Sequence, residues 1–180
     1  RASIDAFRLG IELKGGQLKL NDFNMVGYDA SYSLNLAGEL NMDYPHLAIG
    51  LEINGFDVTR FSRDLGKADI GGKADLDIQY DLRFYRPSHM FENAQTQISM
   101  RIQNGFMKET GVQKRLSAYL ARNGYNGIDL GTIQFSSIWL NCAQIRDTFY
   151  VRPLSIVSPT MNLNGSGRYT YISGLELNLY

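Results

Sequence analysis

The sequence predicts a mainly β protein: a curved antiparallel sheet or incomplete β-barrel carrying two short helices. Three observations support this. Apolar residues alternate with polar ones over most of the chain, the period-two signature of strands with one apolar and one wet face. Gly, Pro and Asn punctuate that alternation at hairpin-like intervals. One passage is also written twice. In residues 149–171, FYVRPLSIVSPTMNLNGSGRYTY, the residues Phe149, Val151, Leu154, Ile156, Val157, Met161 and Leu163 keep the relative spacing of Leu18, Leu20, Phe23, Met25, Val26, Ala30 and Tyr32. A strand, a jog, a short run, a turn and a return strand therefore occur twice. A recurring unit that cannot bury its own apolar face is how extended β-architectures are built.

In chain order, Phe7, Leu9, Ile11 and Leu13 alternate up to a turn at Gly15-Gly16. Leu18, Leu20, Phe23 and Met25 form the next strand, and their parity changes at Asn21-Asp22, which predicts a bulge. A long alternation from Ala30 through Tyr32, Leu34, Leu36, Leu40, Met42 and Tyr44 stops at Pro45. Leu47, Ile49, Leu51 and Ile53 follow, closing at Asn54-Gly55. Asp57 then caps a short helix with Val58, Phe61 and Leu65 on one face and Gly66 as its stop. After Gly71-Gly72, Ala74, Leu76, Ile78, Tyr80, Leu82 and Phe84 give the cleanest alternation in the chain. Residues 86–93 read as a loop, and Ile98, Met100 and Ile102 resume the sheet. Thr110 and Gln113 fit a capping box for a second helix with Val112, Leu116, Tyr119 and Leu120 in one stripe, ended by Asn123-Gly124. Three further strands are expected around Ile133 and Phe135, from Ile138 to Cys142, and from Phe149 to Val151. The total is about ten strands, few of them separated by helices, which argues against a doubly wound parallel sheet.

The 180 residues suit one domain, and 44% hydrophobic with 20% charged residues is the balance of a folded chain. Eighteen basic and eighteen acidic residues leave no net charge, which argues against nucleic acid as a partner. Cys142 is the only cysteine, so neither an intramolecular disulfide nor a Cys-rich metal site is available. No apolar run approaches the roughly 20 residues of a spanning helix. The alternation still runs through Leu175, Leu177 and Leu179, so we expect a segment of a longer protein.

Catalytic chemistry finds little support. His46 and His89 lack a Cys or carboxylate at ligand spacing and read as surface or turn residues. Cys142 falls in register with Ile138 and Leu140 on the apolar face and reads as packing, not as a nucleophile. Asp75 and Asp77, with Asp69 and Asp81 further out, alternate with Leu76 and Ile78 and belong to the solvated face. A glycosidase pair would instead need an acid raised by burial. Gly165-Ser166-Gly167 lies inside a strand pattern and opens no helix, so it is not a nucleotide loop. The chain reads as non-enzymatic, with no metal and no cofactor.

What remains is the apolar face. Two helices of this size look too small to cover it, so it is expected to line a groove open to hydrophobic ligand. The predicted lining is Leu34, Leu36, Leu76, Ile78, Tyr80, Ile98, Met100, Ile102, Ile138 and Leu140. The plainer reading is a half-buried sheet with that face packed under the helices.

Three segments resemble the AsmA family of bacterial cell-envelope proteins, near its C-terminal conserved region and related to TamB. They are LEINGFDVTRFSRDL (51–65), the alternating strands leading into IQNGFMK (74–108), and the passage from Leu116 through FSSIWLNCAQIRDTFYVRPLSIVSPTMNLNGSGRY. The loop at 86–93 has no counterpart in the family pattern. The resemblance implies no catalytic residues. It implies a periplasmic β-groove whose parent chain is anchored in the inner membrane by a segment absent here. Its partner would be phospholipid or another acyl-chain lipid, with other envelope proteins beside it, in support of outer-membrane integrity. Rival readings are a structural or docking module of the periplasm, a carbohydrate-binding sandwich, for which the single Trp139 is thin support, and a transmembrane barrel, which the helices fit poorly.

Overall fold

The computed structural model describes residues 4–40, 43–66, 69–83, 94–108, 111–125, 131–146, 148–159, 162–170 and 174–180. Among them, ten strands form one antiparallel sheet in which every strand pairs with its chain neighbours in order. The strands are β1 (Ile4–Lys14), β2 (Gln17–Gly27), β3 (Ala30–Glu39), β4 (His46–Asp57), β5 (Ile70–Arg83), β6 (Gln95–Lys108), β7 (Thr132–Ile145), β8 (Thr148–Val157), β9 (Asn162–Thr170) and β10 (Gly174–Leu179). Helix α1 (Val58–Asp64) follows β4 and α2 (Gly111–Arg122) follows β6. The sheet is curved and stays open: β1 and β10 are its edges, and they do not meet to close a barrel.

Short hairpins drive this meander. Gly15 and Gly16 both take positive φ, 56° and 79°, which turns β1 into β2 with the twist a hairpin requires. Between β2 and β3 the same backbone is formed by Tyr28 (φ 52°) and Asp29 (φ 57°), residues that carry no glycine signal. Tertiary contacts hold that turn. The Tyr28 ring meets Phe56 and Phe61 at 5.7 Å each, and the Tyr28 carbonyl accepts from the Asp57 amide at 3.1 Å.

The duplicated passage folds as a duplicated unit. In β2–β3 the register jumps from Leu20↔Leu36 to Phe23↔Leu34. In β8–β9 it jumps from Val151↔Gly167 to Leu154↔Gly165, at the corresponding residues. The preceding strand matches as well: Ile11↔Leu20 and Leu13↔Leu18 correspond to Cys142↔Val151 and Gln144↔Phe149. Thus β1–β2–β3 recurs as β7–β8–β9, bulge included. An extra residue in one strand restores the apolar parity after the jog, which is why the pattern tolerates the interruption.

Three expectations need correction. Asn54-Gly55 does not end a strand, because β4 runs on to Asp57 across a bulge between Ile53 and Phe56 where Gly55 takes φ 73°. Gly71-Gly72 lies within β5, at the shift between Gly71↔Phe106 and Lys73↔Gln103. The segments around Phe135 and Ile138 are not two strands but one, β7, held in a single register from Lys108↔Thr132 to Gln95↔Ile145. Its buried residues change parity, from Ile133 and Phe135 to Ile138, opposite a β6 backbone that turns at Asn104 (φ 49°). The long alternation from Ala30 is strand only to Glu39. Met42, Phe84, Met161, the 86–93 loop with His89, and the Thr110 half of the capping box lie outside the described residues.

The Asp57 cap and the C-terminal stops of both helices behave as the sequence predicts. Asp57 accepts from the Arg60 amide at 2.9 Å, and Gly66 (φ 72°) follows the α1 terminus. At α2, the Tyr125 amide reaches the Leu120 carbonyl and the Gly124 amide the Ala121 carbonyl, with Gly124 at φ 87°. That is the Schellman arrangement. Helix α1 packs on β5. The packed core lies at this end of the sheet: Ala74, Ile102, Met107, Phe135, Ile138 and Ile156, with Val58 and Ile70 against them.

Candidate functional site: the apolar face

Cross-strand pairing assembles the apolar residues into adjacent rows, four of which hold the predicted lining and lie beside a fifth, Leu13–Leu18–Gly38–Leu47–Leu82. One runs Phe56–Ala74–Ile102–Ile138–Ile156–Leu163. The next runs Met25–Tyr32–Ile53–Leu76–Met100–Leu140–Leu154, ending at Gly165. The third is Phe23–Leu34–Leu51–Ile78–Ile98–Cys142–Val151. The fourth is Leu20–Leu36–Ile49–Tyr80–Thr96–Gln144–Phe149. All ten residues predicted from strand parity therefore share one face and occupy neighbouring rows.

Their burial is uneven. Ile102 and Ile138 are 6% and 7% exposed and belong to the packed core, while the other eight are half-buried. Thr96 and Gln144 make the far row partly polar: the Thr96 hydroxyl donates to Gln144 Oε1 at 2.9 Å, and Gln144 Nε2 donates to the Arg146 carbonyl at 2.7 Å. The face thus has dry patches at both ends, around Ile102 and Ile138 and at Leu82 (1% exposed), with half-covered aliphatic rows between them; Val151 and Thr96 are buried as well. Under β10, Gly165 and Gly167 replace side chains, and Leu179 and Leu177 reach over them, their Cδ2 atoms 2.8 and 2.7 Å from where a Cβ would stand.

The opposite face is wet, with Asn35, Glu52, Asp77, Gln79, Gln97 and Ser99 exposed along it. A shallow trough of about 530 Å³ opens there over Ala37, Ala48 and Gly50, where small residues leave the sheet uncovered between Lys19, Gln79 and Gln95. Its walls are charges and amides.

The remaining candidates stay where ordinary packing puts them. Burial pushes the Cys142 thiol up, away from the thiolate a nucleophile needs. Asp77 is exposed, and Asp75 accepts from the Gly55 amide at 2.9 Å, supporting the β4 bulge. His46 and Asp81, far apart in sequence, meet at 2.7 Å across β4 and β5. Among the described residues no three His, Cys, Asp or Glu side chains cluster to hold a metal, and no helix is long and apolar enough to cross a membrane. Gly165-Ser166-Gly167 lies within β9.

Leu51, Ile53, Phe23 and Met25 are among the further members of these rows that the predicted lining leaves out. A strict nearest-neighbour meander, which sets Leu34 against Leu51 and Tyr32 against Ile53, would have found them from parity alone. No protein-family model, curated protein or solved structure matches this chain.

Proposed function

We propose that the apolar face is a lipid-handling surface of a non-enzymatic cell-envelope protein: acyl chains lie along the half-buried aliphatic rows while head groups stay at the wet margin. The half-buried aliphatic residues of the middle rows support this reading most directly. Leu76, Ile78, Ile98 and Met100 remain half-covered between the dry cluster around Ile102 and Ile138 on one side and buried Leu82 and Thr96 on the other, where the Thr96 hydroxyl donates to Gln144. Each methylene removed from water contributes about 0.8 kcal/mol, so an acyl chain of a dozen carbons gains on the order of 10 kcal/mol before ordering costs. Movement along the rows needs no chemistry, only similar affinity from one strand pair to the next. The AsmA-like identity, a periplasmic location, an anchored parent chain and a part in phospholipid transport belong to this same proposal.

A second reading has its own observation. The dry cluster around Phe135 and Ile138 is what a purely structural module of the envelope would contain, with protein filling the whole face. Native mass spectrometry of the purified chain, with organic extraction of what it releases, separates the two. Phospholipid in defined stoichiometry, lost on Ile78→Asp or Met100→Asp in a still-folded chain, is the expected result. A clean apo mass with no uptake of added fluorescent phospholipid would overturn the lipid reading in favour of the structural one.

A further inference from the structure

We propose that helix α2 is a docking surface for an anionic lipid bilayer: its exposed cations rest on acidic head groups and set the apolar face of the sheet beside the membrane. Charge points to this first. The chain as a whole is neutral, yet α2 (Gly111–Arg122) carries Lys114, Arg115 and Arg122 and no acidic residue. Arg122 suits the C-terminal end of a helix dipole. Lys114, however, stands in the first turn, where a cation is unfavourable and no carboxylate offsets it. Helix stability therefore does not account for this charge.

Exposure agrees with it. All three cations are exposed, and none forms an ion pair among the described residues. Arg115 and Arg122 lie about two turns apart on one side of the helix with Tyr119 between them, and Tyr119 is 42% exposed. Tyr125, just past the helix end, is 61% exposed. Arginines interleaved with tyrosine suit a membrane surface, where the ring sits at head-group level and the guanidinium meets phosphate. No described side chain of α2 is buried. Helix α1 shows the contrast. Its Arg60 lies 3.9 Å from Asp29 and over the Tyr28 ring, its Ser62 is buried, and the helix packs on β5. The charge of α1 is used within the protein, and that of α2 is not.

Position ties the helix to the apolar face. The Tyr119 hydroxyl donates to the Leu179 carbonyl at 3.3 Å. Leu179 pairs with Gly165, at the end of the half-covered row that holds Leu154, Leu140, Met100 and Leu76. A bilayer against α2 therefore lies beside that row. Passage of acyl chains from one to the other rests on the lipid reading above; the bilayer contact rests on α2 alone.

Vesicle flotation of the 180-residue chain tests the contact. Each Lys or Arg at an anionic surface strengthens adsorption about fivefold, so three contribute roughly a hundredfold. The chain is expected to float with vesicles of phosphatidylcholine mixed with phosphatidylglycerol, not with pure phosphatidylcholine, and to be released by added salt. Lys114→Gln/Arg115→Gln/Arg122→Gln should weaken flotation roughly a hundredfold with an unchanged circular dichroism spectrum. Arg115→Lys/Arg122→Lys should float like the wild type, because a charged surface attracts either cation. Ile78→Asp should still float while losing uptake of a fluorescent phospholipid, so the docking and the lipid reading fail separately. Equal flotation with neutral vesicles, undiminished flotation of the glutamine variant, or a lysine variant that fails as the glutamine variant does would overturn the proposal. So would binding to an RNA oligonucleotide in place of vesicles, or loss of flotation in folded Ile78→Asp, which would assign the contact to the apolar face. If the triple variant is unfolded, Lys114→Gln alone decides: it must lose about fivefold, and no loss refutes docking through α2.

Discussion

Phe135 faces Gly105 across the β6–β7 ladder, and its ring occupies the space that a Cβ on Gly105 would need. The Gly71 carbonyl closes the same space from the other side. This close approach lets the packed end of the sheet change parity without a gap. Gly105→Ala is expected to destabilise the protein by about 1–3 kcal/mol through overpacking. At roughly 2–4 °C per kcal/mol this appears as a lowered melting temperature. Adding Phe135→Leu should recover only part of the loss, since the carbonyl cannot retreat. An unchanged melting temperature for Gly105→Ala would mean that the ring is not seated there.

Asp57 gives a prediction with a definite pH sign. Its carboxyl is held below the usual carboxylate range first by the Arg60 amide and next, against some desolvation, by Lys73, whose Nζ lies 3.6 Å away. A depressed folded pKa means that the stabilisation is present above the ordinary carboxylate value of about 4 and is lost as pH falls through the folded value. Asp57→Ala should cost about 1 kcal/mol at neutral pH. The gap between wild type and Asp57→Ala in urea midpoint should narrow steadily on acidification, and a gap independent of pH would refute the cap.

Uneven burial along the face predicts uneven costs. Ile138→Ala, in the packed core, is expected to lose about 2–5 kcal/mol, whereas Leu36→Ala in the half-covered row should lose about 1 kcal/mol. Equal losses measured by denaturant unfolding would mean that the face is uniformly dry, which would remove the room for an acyl chain.

Lipid uptake should depend on face, not merely on strand. Ile78→Asp should reduce uptake of a fluorescent phospholipid at least tenfold, equivalent to about 1.4 kcal/mol. Its chain neighbour Gln79 lies on the wet face, so Gln79→Glu should leave uptake unchanged. Similar losses for both would place the ligand elsewhere.

Cys142 reports on the same surface. With its thiol pushed up by burial and its neighbours Ile98 and Val151 alongside, it should alkylate more slowly at neutral pH in the folded chain than in denaturant. Bound phospholipid should slow the reaction further, and a rate indifferent to lipid would count against contact at this row.

Much of this could be read from the chain alone, because its causes are local. Alternation with period two set the apolar face, and the ten residues chosen by parity do share it. The parity change at Asn21-Asp22, the Asp57 cap and the glycine stops at Gly66 and Gly124 are each specified within a few residues. The duplication also survived folding pair for pair, since equal spacing of apolar residues demands equal registers. Tertiary structure decided what a break in the pattern means. Asn54-Gly55, Gly71-Gly72 and the step between Phe135 and Ile138 each look like strand ends, yet each is a bulge or bend inside a continuous strand. A turn and a bulge use the same residues, and only the strand lying alongside determines which forms. Tyr28 and Asp29 reverse the chain without glycine because Phe56, Phe61 and the Asp57 amide hold them, and His46 finds Asp81 only because β4 and β5 align. Local sequence writes the faces; the partner across the ladder decides where each strand ends.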